Sequence, residues 1–271
     1  MPSLYIVATP IGNLEDISLR ALRVLQEVGL IAAEDTRKTR HLLSAYQIKK
    51  PLTSYHEHNK KAKLAYILTC LQEKDVALVS DAGMPGISDP GYELIVAAIE
   101  RGIPVVPVPG PSVVLTALSV SGLPSHQFLY LGFLPRRKGE RRRLLEAVAS
   151  EPRTIVAFES PHRLPATLRD LEELLGNRRV ALCRELTKVH EEVFRGTVRA
   201  AIEHFQEPRG EFTLVIEGKG KTEQDTSAKE VEEQLRRLKK GGASAKEAVA
   251  RVVESTGLPK REIYKAWLRL G

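Results

Sequence analysis

A repeated unit constrains this chain most: a continuous apolar run, a turn rich in Gly and Pro, then a helical pattern. Leu4 to Ala8 leads into a turn at Thr9 to Asn13. A helix follows, with Ser18 as N-cap, Ile17, Ala21, Leu22, Leu25 and Val28 at helical spacing, and Gly29 to end it. Leu30 to Ala33 leads into Glu34 to Arg37 and a basic helix, Val76 to Val79 into Ser80 to Gly91, and Val105 to Val108 into Pro109 to Ser112 and a helix of small residues. Runs without polar alternation are buried on both faces, so strands of this kind alternating with helices predict an α/β domain with a mostly parallel sheet.

A second set of strands is expected at Phe128 to Phe133, Thr154 to Phe158, Val180 to Arg184 and Phe212 to Ile216. Helices near 139–148, 161–175 and 197–205 separate them. With 271 residues and 42% hydrophobic content, two α/β domains are expected, at 1–122 and 123–218. Residues 219–227 are polar, Gly-containing and without periodicity, which predicts a linker. From 228 to 271 three short helices are expected. Ser227 with Glu230 and Ser244 with Glu247 have capping-box spacing, Gly241, Gly242 and Gly257 stand where C-caps belong, and Pro259 opens the last helix. Ala245, Ala248, Val249, Val252 and Val253 form one apolar face and Ile263, Ala266, Trp267 and Leu270 another, predicting a small helix-turn-helix bundle.

Several function classes lose support. The chain has no GxxxxGK[ST], no GxGxxG after a strand, no HExxH and no GxSxG. Cys70 and Cys183 lie far apart without a CxxC or a His cluster, so neither a disulfide framework nor a zinc site is expected, and no metal. The first residues lead directly into a strand and no run reaches about 18 apolar residues, so a cytoplasmic location without membrane contact is expected. Net charge is +7, and its distribution matters more than its total. Arg136, Arg137, Lys138, Arg141, Arg142 and Arg143 stand against one acidic residue, Glu140, and the last 44 residues are also basic. Such clusters suit a polyanion or a solvated face. Arg37, Lys38, Arg40, Lys60 and Lys61 could add to a phosphate-tracking surface. Aromatic residues are 5% of the chain, which argues against an extensive base-stacking surface.

Open α/β sheets bind ligands at the C-terminal ends of their strands. The densest loop there is Ser80 to Gly91, with three Gly, two Pro, two Asp and two Ser in 12 residues. Gly lets ligand atoms approach the backbone and Pro reduces the entropy of a loose loop. Asp89 to Tyr92 is also expected to cap the following helix. Pro109 to Ser112 points a helix N-terminus at the same edge.

Five motifs in order, Val7 to Ser18, Ala33 to Arg37, Ser80 to Gly91, Val108 to Ser112 and Phe158 to Arg163, resemble the tetrapyrrole-methylase superfamily. Within it they are most similar to the branch that methylates a ribose 2′-oxygen of a decoding-centre cytidine in 16S rRNA, with the string Met84 to Gly91 the most specific match. The resemblance runs from about Ser3 to Gly218, and the tail is similar to that branch's helical domain. It implies a class III methyltransferase fold, a homodimer, and S-adenosylmethionine bound between the two α/β domains without a metal. Pro10, Gly12, Asp81, Ala82, Gly83, Ile87, Ser88, Thr116 and Ala117 would line the donor site from the first domain, and Phe158, Glu159 and Leu186 from the second. The substrate implied is 16S rRNA or the small ribosomal subunit.

Transfer to a ribose hydroxyl requires an aligned oxygen and a destination for its proton. Asp35, Glu159 and His162 are the candidate acceptors. Asp35 equally suits a helix N-cap, Glu159 a donor contact and His162 a helix start, and positioning alone could carry the reaction. Arg37, Lys38, Arg40 and Arg136 to Arg143 are the candidate RNA contacts, with Lys260, Arg261, Lys265 and Arg269 in the tail. Two rival readings are methylation of a tetrapyrrole or corrinoid precursor and a non-catalytic ribosome-associated RNA-binding protein.

Overall fold

The computed structural model describes residues 2–219, 223–256 and 258–270. The chain divides into a unit of residues 1–218 and a unit of residues 219–271.

The larger unit opens with β1 (Leu4–Val7), α1 (Leu19–Glu27), β2 (Leu30–Ala33), α2 (Thr36–Ala45), β3 (Leu52–Ser54), α3 (Lys60–Glu73), β4 (Val76–Val79), α4 (Tyr92–Glu100), β5 (Val105–Val108) and α5 (Val113–Ser121). The strands form one sheet in the order β3-β2-β4-β1-β5, every pairing parallel. β2 and β4 are buried along their whole length, as apolar runs covered on both faces must be. One cover is the α3–α4 side around Ile67, Leu71 and Leu94, the other the α1–α2 side around Val24, Leu25 and Leu43. β3 was not foreseen: it is three residues long, too short for a periodic signal. Because all five strands are parallel, the loops after β1, β2, β4 and β5 meet at one edge.

The chain continues through β6 (Phe128–Phe133), α6 (Lys138–Ala147), β7 (Thr154–Glu159), α7 (Leu164–Leu175), β8 (Arg179–Arg184), β9 (Glu192–Thr197), α8 (Val198–His204) and β10 (Phe212–Ile216). This second sheet runs β6-β7-β10-β8-β9, with β6–β7 parallel and the other pairs antiparallel. β9 is a half-exposed edge strand carrying Glu192, Arg195 and Thr197, so it lacks the apolar run that marks its neighbours. α6, α7 and α8 cover one face through Leu145, Leu168 and Ala201. α5 from the first half covers the other: Val114, Ala117 and Leu118 pack on Val156, Ala181, Cys183 and Val215, and this seam joins the two sheets. Burial there pushes the Cys183 thiol up to about 12.

The smaller unit holds α9 (Glu223–Lys240), α10 (Ala245–Thr256) and α11 (Lys260–Arg269) around Val231, Leu235, Ala248, Val249, Val252 and Ile263. Residues 220–222 of the expected linker, and the expected C-cap Gly257, lie outside the described residues. From Glu223 the chain is already helical, so Ser227 falls inside α9 and does not begin it. The second capping box forms: Ser244 N donates to Glu247 at 3.0 Å, and Glu247 N to the Ser244 hydroxyl at 3.4 Å. Gly242 adopts the left-handed conformation after α9, at φ 82°.

Candidate active site

The loops after β1, β2 and β4 are tied to one another by polar contacts. Thr9 and Gly83 exchange two backbone hydrogen bonds of 2.9 Å, an isolated antiparallel bridge between loops that follow parallel strands. Gly83 does this at φ 78°, where a side chain would be strained. The Asp81 carboxylate accepts from Asp35 N at 3.0 Å and from the Lys38 ammonium at 2.7 Å, while Asp81 N donates to Glu34 at 3.2 Å. Thr9, Pro10, Lys38, Ser80 and Asp81 thereby line a small cleft at this edge.

Five of the candidate acceptor and donor residues have structural roles. Asp35 caps α2: its carboxylate accepts from Arg37 N at 2.8 Å and from the Arg37 guanidinium at 3.1 and 2.6 Å. Those bonds hold it well below the usual aspartate range, so it is a poor proton acceptor. Glu159 is 2% exposed. One oxygen accepts from Ser160 N at 2.7 Å and from Arg163 at 2.6 Å, the other from the Thr167 hydroxyl at 2.7 Å. These partners hold the turn into α7 and occupy both of its oxygens. Gly12 is a glycine for packing reasons, since a Cβ there would stand 2.6 Å from Thr187 Oγ1 and 2.9 Å from the Leu186 carbonyl. Ala117 and Leu186 have their side chains inside the seam between the sheets, so only their backbone could face a ligand.

The remaining donor-site candidates stay open. Ala82, Ile87 and Ser88 are exposed, and Thr116 and Phe158 half-buried. Ser88 adopts φ 62°, and Glu185 and Thr187, flanking Leu186, adopt 47° and 66°. Left-handed non-glycine residues cost on the order of 1–3 kcal/mol each and concentrate where a ligand is held. Ser88 also crosses between the halves: its hydroxyl lies 2.7 Å from the Tyr130 hydroxyl on β6. His162 is exposed, with Nε2 3.4 Å from the Ser160 hydroxyl.

Asp89 carries a signal that sequence reading missed. It does not cap α4, whose N-cap is Gly91 without a side-chain hydrogen bond. It is half-buried, and desolvation, followed by the charge of Glu34, raises it to about 6, partly offset by the Ser80 hydroxyl. Burial also raises Glu34. The proximity of two acidic side chains 55 positions apart is a product of the fold.

The basic residues separate into two groups. Arg37, Lys38, Arg40, Arg136, Arg137, Lys138 and Arg143 are exposed. Arg141, expected as an RNA contact, is instead 4% exposed and donates to Asp170 at 2.8 and 2.6 Å. Arg142 is drawn to Asp170 and Glu173. Both sit on the α6 face that meets α7, and an arginine run of this length must place some members inward on a helix. Among the described residues no group of three or more His, Cys, Asp or Glu could hold a metal ion, and no helix is long and apolar enough to cross a membrane.

Residues 3–202 match the family described as Tetrapyrrole (Corrin/Porphyrin) Methylases, and residues 225–271 match the RsmI C-terminal HTH domain. Relatives named Ribosomal RNA small subunit methyltransferase I include those of Halalkalibacterium halodurans, 48% identical over 98% of this chain and 94% of that protein, and Thermotoga maritima, 56% identical over 81% of this chain and 100% of that protein. The relative of that name from a Synechocystis species is 46% identical over 100% of this chain and 99% of that protein. Among solved structures, a diphthine synthase aligns with a TM-score of 0.64 at 14% identity, covering 79% of this chain and 89% of that one, and a Thermus thermophilus uroporphyrin-III C-methyltransferase with 0.57 at 22%, covering 79% and 94%. These last two likenesses concern the fold alone. With one family matching residues 3–202 and relatives near half-identity spanning the whole chain, this protein belongs to the tetrapyrrole methylases and, within them, to the ribosomal RNA small subunit methyltransferase I family.

Proposed function

We propose that this protein methylates a ribose 2′-hydroxyl of a decoding-centre cytidine in 16S rRNA, with S-adenosylmethionine as donor. The observation that carries the proposal is the Ser80 to Gly91 loop. It is tied at its start to the loops after β1 and β2 and linked at Ser88 to β6, so it stands between the two sheets with small or open residues on its surface. The exposed Ala82 and the apolar Ile87 and Phe158 suit an adenosine and a methionine chain, and left-handed Gly83 and Ser88 shape the wall. When bound, the donor supplies an activated methyl group on a sulfonium.

The protein's own task is to align the hydroxyl and receive its proton. With Asp35 and Glu159 committed to structure, His162 and Asp89 are the groups left for this. Asp89, near 6, is ionised at neutral pH yet more basic than an ordinary carboxylate. Arg136, Arg137 and Lys138, at the start of α6, supply phosphate contacts, and exposed Lys260, Arg261, Lys265 and Arg269 extend them in the smaller unit. The proposal includes the homodimer and the division of the larger unit into donor-binding halves at 1–122 and 123–218. Methylation of a tetrapyrrole fits less well, because relatives near half-identity carry a ribosomal name while the tetrapyrrole enzyme shares only the fold.

Incubation with labelled S-adenosylmethionine and undermethylated 30S subunits, followed by mapping of the modified nucleotide, tests the proposal. Label on a cytidine ribose of the decoding centre is expected. Label on a base, or none in RNA, defeats it.

A further inference from the structure

β6 contains one irregularity, and it changes the direction of one side chain. Up to Tyr130 the strand alternates: Leu129 packs toward the α6–α8 core, Phe128 and Tyr130 toward the opposite face. Leu131 also packs toward the α6–α8 core, and simple alternation would send Phe133 after it. Instead the pairing with β7 shifts. Tyr130 stands opposite Val156, Gly132 opposite Ala157 and Phe133 opposite Phe158, leaving Leu131 as the extra residue of a bulge. Val156 and Phe158 belong to the face of Tyr130, so the bulge turns Phe133 to that face. Gly132 makes this possible at φ 67°, and a Cβ there would stand 2.9 Å from the Ser88 hydroxyl oxygen.

The outcome is a row of rings beside the Ser80 to Gly91 loop. Phe158 lies edge to face with Tyr130 at 5.4 Å on one side and with Phe133 at 5.2 Å on the other. Tyr130 is anchored by Ser88, Phe158 is half-buried, and Phe133 is 62% exposed. A single exposed ring would be ordinary, but Phe133 is the open end of a contiguous aromatic row, and contiguous apolar surface marks an interaction site. Three exposed cations, Arg136, Arg137 and Lys138, follow within five residues of it. An aromatic face beside a cluster of phosphate-binding side chains is the arrangement by which proteins hold an unstacked base on a single-stranded backbone.

We infer that Phe133 is a stacking platform for an unpaired nucleobase of the substrate RNA, presented by the β6 bulge at the outer end of the donor site. The inference rests on the proposed rRNA reading and adds a substrate contact to it. Stacking is sequence-tolerant, since every base has a π-face, so Phe133 holds the strand and does not choose the base.

The test compares Phe133→Leu with Phe133→Tyr and Phe133→Trp in the full chain, using undermethylated 30S subunits and labelled S-adenosylmethionine. Phe133→Leu is expected to raise KM for the subunit roughly ten-fold or more, the scale of one lost stacking contact. Its kcat, melting temperature and calorimetric affinity for S-adenosylmethionine are expected to hold, while Tyr and Trp restore KM to near the wild-type value. An unchanged KM in Phe133→Leu overturns the inference. So does weakened S-adenosylmethionine binding, which would make the ring a donor wall, or a changed sedimentation coefficient, which would make it a contact between copies. Wild-type protein that puts no methyl on rRNA defeats the proposed function and this inference together, whereas active wild type with an indifferent Phe133→Leu defeats this inference alone.

Discussion

Asp89 and Glu159 are carboxyl groups in opposite situations, and substitution separates them. The fold raises Asp89 from 3.8 to about 6, so between these values the native state binds the proton more tightly than the unfolded chain. That contribution is fully present below about 4 and is lost as pH rises through 6, leaving an ionised, crowded carboxylate at neutrality. Asp89→Asn cannot ionise and its amide still accepts from Ser80. It is expected to melt about 2–4 °C above wild type at pH 7.5, from roughly 1 kcal/mol after allowance for solvent screening, and to converge with it near pH 4. Methyl transfer is expected to fall in the same variant. Parallel melting curves across pH 4 to 8 would contradict the burial argument, and full activity would remove Asp89 from proton transfer. Glu159→Ala strips a buried carboxylate from Arg163, Thr167 and Ser160. A loss of about 3 kcal/mol is expected. Below its melting point the pH profile of methyl transfer should keep the wild-type shape; a shifted profile would restore Glu159 as a catalytic candidate.

At the scale of elements, α6 shows where a charge pattern is legible and where it stops being so. A run of Arg and Lys identifies a basic helix from sequence alone, but which members face solvent depends on the rotation of α6 against α7. That rotation is fixed by Asp170, nearly 30 positions further on. The same limit hid β3, β9 and the partnership of Asp89 with Glu34: short or edge strands lack an apolar run, and side chains far apart in sequence meet only through topology. The strand-to-helix rhythm and the loop edge were legible because burial on both faces of a parallel sheet leaves continuous apolar runs. Arg141→Met is accordingly expected to cost about 3–5 kcal/mol of stability, because it leaves Asp170 short of a partner inside the protein. It should leave the salt dependence of rRNA binding unchanged. Joint replacement of Arg137 and Lys138 by Ala should do the reverse, with melting within about 1 °C of wild type and a slope of log affinity against log salt shallower by about 1.4 to 1.8. Equal effects of the two variants on the slope would return Arg141 to the RNA surface.

At the scale of the whole molecule, the division at residue 218 decides how the smaller unit can be removed. Each unit has its own apolar core, the larger one in clusters confined to residues before 218 and the smaller one between Val231 and Ile263. A cut at Ala228, suggested by the expected linker, would leave the first turn of α9 as a stub; a cut after Gly218 would not. The truncated protein should melt cooperatively and bind S-adenosylmethionine as the full chain does, because every candidate donor-site residue precedes Gly218. Its affinity for the small subunit should drop. α11 shows Arg261, Lys265 and Leu268 at its surface, a basic and apolar mixture on a helix whose inner side is held by Ile263. Loss of two phosphate contacts alone would weaken binding several-fold at 150 mM salt, and the loss should grow as salt is lowered. Calorimetry for the donor and filter binding for the subunit measure the two quantities independently. Unchanged subunit affinity would confine substrate recognition to α2, α6 and the β6 platform, whereas loss of donor binding would mean that the smaller unit completes the site.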